Sequence, residues 1–136
     1  MRIRLTRAVA FRAFHQLADR TLSPQENRAR FGWTSEPHAH HYRCEVSVAG
    51  PVDHRLPFAI DLPLLDRILA DEVTARFDGR HLHRDVAPFT EILPTCEGLA
   101  RDGFERIARR LPPGTTLDRV MIAEDADLSA ECLGDD

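Results

Sequence analysis

From Tyr42 to Val48 apolar and polar residues alternate without interruption: Tyr42, Cys44, Val46 and Val48 fall at one parity, Arg43, Glu45 and Ser47 at the other. Successive strand side chains point to opposite faces, so this period of two describes a strand covered on one face and wet on the other. A helix is excluded, because its apolar positions recur every three or four residues. A half-covered sheet needs a second layer, and the remaining apolar segments must supply it. The opening stretch RIRLTRAVAFRAFHQL places Ile3, Leu5, Phe11, Ala13 and His15 at one parity, which predicts a long first strand with room for a bulge.

The covering layer is legible as two helical stripes. PLLDRILADEVTARF carries Leu64, Leu65, Ile68, Leu69 and Val73 at helical spacing, and CEGLARDGFERIARRL carries Leu99, Phe104, Ile107, Ala108 and Leu111. Thr95 stands at the N-cap of the second, and Arg109 and Arg110 suit its C-terminal end. Ser23, Pro24 and Glu26 form a cap, a first-turn proline and a capping-box glutamate, predicting a short surface helix that breaks near Gly32. The second strand runs from about His38 to Val48. After the connection GPVDHRLP, PFAID is expected as a short third strand and TLDRVMIAED as a fourth, with DLSAECLGDD a frayed or edge segment and DGRHLHRDVAPFTEILP loop-like. The expected fold class is α+β: an antiparallel four-stranded sheet with two helices on one face, residues 1–136 forming one domain.

With 136 residues, 43% of them hydrophobic and 29% charged, the chain has an ordinary globular balance. Its net charge of −4 and dispersed arginines offer no basic stripe for nucleic acid. No apolar run reaches signal-peptide or membrane-spanning length, so a cytoplasmic protein is expected. Cys44, Cys96 and Cys132 form no C-x-x-C pair, leaving histidine or carboxylate to hold any metal. Cys44, mid-strand on the core face, is expected to be inert packing.

EPHAHHYRCEV then raises the chemical question. His38 and His40 share a face with Tyr42 and Cys44, while His41 points away. The pair is either a polar fringe at the strand mouth or two arms of a metal site. Pairing of the first two strands would bring His15 beside them, and three neutral histidines leave a fourth tetrahedral position open, the catalytic arrangement for zinc.

Several segments in register resemble the 6-pyruvoyl-tetrahydropterin synthase and 6-carboxy-tetrahydropterin synthase family. AFHQL is similar to its F-x-A-x-H-x-L segment, HAHHY to H-G-H-N-Y, FDGRHLHRDVAPF to L-D-H-x-x-L-N-x-D-x-x-x-F, LPTCEGLA to T-T-E-N-x-A, and IAED to its E-T. The resemblance implies a tunnelling fold (T-fold), a homo-oligomer built as a hexamer of two trimers, and Zn2+ on His15, His38 and His40. It also implies a pocket for a small heterocyclic substrate around Thr95, Cys96, Glu97 and Glu124. Glu97 and Glu124 would grip the amino group and ring N–H of a 2-aminopyrimidinone through paired hydrogen bonds.

Two departures stand out. The family's cysteine before the His-x-His is absent from FGWTSEPHAH, and its Asp-His pair reads Asp78-Gly79. Three explanations follow: a changed lyase with another base, a zinc-loaded binding or regulatory protein, or the same chemistry on a non-pterin substrate. For the first, Glu36 is the expected base, with Asp78 and His81 as relay. Cys96 beside Glu97 lies at a helix start, where a thiolate would be stabilised. His54 and His83 receive no role.

Overall fold

Strand β1 (Ile3–His15) pairs antiparallel along its whole length with β2 (His38–Gly50), and the register is unbroken from Ile3 opposite Gly50 to His15 opposite His38. The structure is a computed structural model that describes residues 2–135. Strand β3 (Thr116–Ala123) lies on the other side of β2, and β4 (Ser129–Leu133) closes the sheet in the order β1-β2-β3-β4, all neighbours antiparallel. The expected bulge in β1 is absent from this pairing. The irregularity falls instead between Ser47 and Val48, on the β3 side.

The count of four strands holds, but the identity of one does not. Residues 57–61 form no strand: both edges of β2 are already taken by β1 and β3, Pro57 has no N–H to donate, and Phe58 N–H bonds back to Leu56 O at 2.8 Å in a tight turn. The fourth strand is the C-terminal segment, with Ala130 and Cys132 packed toward the core. Its hairpin is held by the Asp125 carboxylate, which accepts from the N–H groups of Asp127 and Leu128.

Helix α1 (Pro24–Phe31) has the full capping box: Ser23 Oγ accepts from Glu26 N–H, and Glu26 accepts from Ser23 N–H. Helix α2 (Leu62–Leu69) continues through a π turn over Ala70–Thr74 into Ala75–Phe77. The segment expected to be loop-like contains one helical turn, Leu82–Asp85, ahead of helix α3 (Cys96–Ala108). Leu65, Ile68, Leu69, Leu99 and Ile107 from the helices meet Phe11, Tyr42, Cys44, Val46, Val120 and Ile122 from the sheet in one core. Each such burial stabilises the fold by about 1.5–3 kcal/mol before chain entropy is counted. The opposite sheet face is polar, with Glu45 bridging Arg43 and Arg119. Among the described residues no helix is long and apolar enough to cross a membrane.

Candidate metal centre

The β1–β2 register builds the site. His15 stands opposite His38, and Ala13, fully buried, stands opposite His40, so all three imidazoles leave the sheet on its core face. Beneath them Phe11 and Tyr42 are stacked with centroids 4.9 Å apart. The imidazole centroids are 4.5 Å (His15–His38), 5.0 Å (His15–His40) and 4.9 Å (His38–His40) apart, and one nitrogen from each lies within 4.8 Å of the others.

Backbone carbonyls set the tautomers. His15 Nδ1–H donates to Pro94 O and His38 Nδ1–H to Glu36 O, both at 2.8 Å, which leaves each Nε2 with a lone pair. Burial, opposed by the Pro94 bond, pushes the His15 pKa down to about 4, so the ring is neutral near pH 7. His40 is also depressed by burial, against the pull of Glu124. Nε2 of His15 and of His40 are buried without a hydrogen-bond partner among the described residues. Leaving such atoms unpaired costs about 1–3 kcal/mol each, and a divalent cation would satisfy both. The donor set therefore fits a zinc-type ion.

The histidines open into a cleft of about 460 Å³ that also contains Thr95, Cys96, Glu97 and Glu124. Thr95 Oγ1 accepts from Gly98 N–H at 3.1 Å, capping α3 and setting Glu97 on its first turn. Glu124, just past β3, has Oε2 2.8 Å from His40 Nε2 and 3.6 Å from His15 Nε2. Cys96 corrects the expected stabilised thiolate: burial, then Glu124, raises its pKa to about 11, and the group is a neutral thiol. Cys44 is buried and inert, pushed up to about 12. The Tyr42 hydroxyl, 1% exposed, has no partner among the described residues, and burial drives its pKa upward.

Five lining residues, Leu17, Trp33, Thr34, Asp125 and Leu128, escaped the sequence reading. Trp33, 68% exposed, sets its ring 4.7 Å from His38, while Asp125 and Leu128 come from the β3–β4 hairpin. Being the chain's only tryptophan, in the loop before His38, was the available signal for Trp33. The residues expected for proton transfer are placed apart from the cleft lining. Glu36 pairs with Arg28 at 2.7 Å on the surface, although its carbonyl holds His38. The Asp78 carboxylate accepts from Arg12 N–H at 3.0 Å. His81 bridges to Phe14 and lines a neighbouring cleft with Gln16 and Pro37, its Nδ1 buried and unpartnered among the described residues. His83, given no role, is buried, with Nδ1–H donating to Phe89 O at 3.2 Å.

An antiparallel four-stranded sheet covered by two helices, with three inward histidines at the mouth of its first two strands, defines a T-fold protein with a candidate mononuclear metal centre. The chain belongs to the 6-pyruvoyl tetrahydropterin synthase family, whose model matches residues 4–135. It is 31% identical over 110 residues to the 6-pyruvoyl tetrahydrobiopterin synthase of Poecilia reticulata, covering 79% of this chain and 75% of that protein. It is 32% identical over 122 residues to the protein of the same name from Drosophila melanogaster, covering 88% and 73%. The solved Caenorhabditis elegans 6-pyruvoyl tetrahydropterin synthase superposes with a TM-score of 0.89 at 28% identity, over 99% of this chain and 97% of that one. The Plasmodium vivax 6-pyruvoyl tetrahydropterin synthase, at 12% identity and a TM-score of 0.69, shares the fold.

Proposed function

We propose that the protein is a zinc-dependent, lyase-like enzyme acting on a pterin or pterin-like heterocycle with a hydroxylated side chain, its proton transfer altered from that of its relatives. The observation that carries this reading is the convergence of His15, His38 and His40, with Nε2 of His15 and His40 unpartnered among the described residues, in a cleft shared with Glu97 and Glu124. Zinc bound there supplies Lewis-acid polarisation of a side-chain oxygen, which acidifies the neighbouring C–H.

The chain's own residues do the rest. Glu97 and Glu124 accept hydrogen bonds from the amino and ring N–H edge of the heterocycle, fixing its orientation. Trp33 and Leu128 offer apolar surface in the cleft against which the heterocycle packs. Glu36 is the proposed base. Its exposed pair with Arg28 is worth less than about 1 kcal/mol, so the carboxylate exchanges partners readily. Asp78 holds the Arg12 backbone and so positions the loop, and His81 is the imidazole left for a relay. In this reading the protein works in the cytoplasm as a hexamer of two trimers, with β1 and β4 as the sheet edges free to meet neighbouring copies.

A second reading, a zinc-loaded binding protein without turnover, is favoured by one observation: none of Glu36, Asp78 and His81 lines the cleft. Incubating zinc-loaded protein with dihydroneopterin triphosphate, with product followed by mass spectrometry, separates the two when a stable pterin is titrated in parallel by fluorescence. Product supports the enzyme; binding without product supports the second reading. Neither product nor binding sends the same chemistry to a non-pterin substrate.

A further inference from the structure

The position of Glu124 is unusual for a residue that only grips a ligand. Its Oε2 is 2.8 Å from His40 Nε2 and 3.6 Å from His15 Nε2, and the side chain is 13% exposed. The 2.8 Å contact lacks the alignment of a hydrogen bond, and His40 Nε2 has no hydrogen-bond partner among the described residues. In the tautomer that leaves His40 Nε2 its lone pair, that nitrogen and the carboxylate oxygen are both electron-pair donors, which a cation between them would satisfy together. Lone pairs that approach without pairing are those of two ligands aimed at one ion. Ligand atoms held at roughly 2.0–2.1 Å from a tetrahedral ion are about 3.3 Å from each other. The two Glu124 contacts bracket that edge length.

We propose that Glu124 is a fourth, displaceable metal ligand, closing the centre while the cleft is free of substrate and leaving the ion when the heterocycle offers its N–H edge. This rests on the three-histidine metal reading above. It gives one carboxylate two successive partners and couples substrate binding to the opening of the metal. Chemistry at the ion is thereby restricted to a cleft already filled by the correct ligand.

The test uses the full chain loaded with cobalt(II), whose visible absorption and electron paramagnetic resonance report its ligands. Glu124→Gln is expected to weaken cobalt affinity, measured by chelator competition, by about ten- to hundredfold. Azide should bind the Glu124→Ala centre about tenfold more tightly than the unaltered one, because the fourth position is then open. If either variant fails to fold, the unaltered protein alone decides: in oxygen-17 water its cobalt resonance should show no broadening from solvent oxygen. Broadening there, or Glu124→Gln affinity and azide response matching the unaltered protein, would overturn the proposal. Failure of the unaltered protein to take up cobalt overturns the three-histidine reading itself, a distinct result that removes this proposal with it.

Discussion

Acid should destabilise the metal-free protein through His15. The ring is 3% exposed, and its burial moves the pKa from 6.5 in the unfolded chain to about 4 in the fold, with the Pro94 carbonyl opposing and the neighbouring histidines assisting. Between these values the unfolded chain binds a proton that the folded chain refuses, so stability falls as pH falls through that window and is fully retained above it. The shift corresponds to about 3 kcal/mol once pH lies below the folded value, most of it already lost near pH 4.5. His40, His81 and His83 are depressed in the same direction by burial, which adds to the total slope. Urea denaturation with chelator present, at about pH 7 and pH 4.5, on the protein and on His15→Gln isolates the single group. The unaltered protein should lose about 2–3 kcal/mol more than the variant across that interval. Parallel losses would refute the assignment of the burial penalty to His15.

Asp102 pairs with Arg76 at 2.5 Å and Arg106 at 3.1 Å, with Arg76 15% exposed, so Asp102→Ala strands a mostly buried guanidinium. A loss of roughly 2–3 kcal/mol in urea titration is expected, somewhat below the range for fully buried pairs. Thr95→Ala removes the α3 cap and should cost about 1 kcal/mol by thermal melting, with weakened pterin binding because Glu97 loses its fixed turn. Glu36→Gln should lower turnover by about a hundredfold or more with zinc content unchanged, and intact turnover would remove Glu36 as the base.

The parts of this molecule that could be read from sequence are those whose physics is local. Alternation in β2 and parity in β1 located both long strands, and the capping residues Ser23 and Thr95 located two helix starts. The histidine cluster followed because strand parity sends His38 and His40 to one face and pairing of β1 with β2 brings His15 to them. Partner choice was harder to see. Phe58 and Ile60 alternate as a strand would, but a strand forms only where an edge is free, and β2 had none left. The C-terminal SAECL is short and half polar, and it becomes a strand because β3 offers it an edge. Loop side chains were the least legible. The surface partner of Glu36, the bond of Asp78 to Arg12 and the second cleft around His81 all depend on long-range chain placement that no local pattern encodes.

The metal content of the purified chain and of His40→Ala, determined by mass spectrometry of the elements after equal exposure to zinc, bears on everything above. His40 is one of the three converging nitrogens and lies near the cleft surface, so its removal should leave circular dichroism unchanged. The account predicts about one zinc per chain in the unaltered protein and a loss of at least about tenfold in affinity in the variant. Equal zinc in both, with the fold intact, would contradict it.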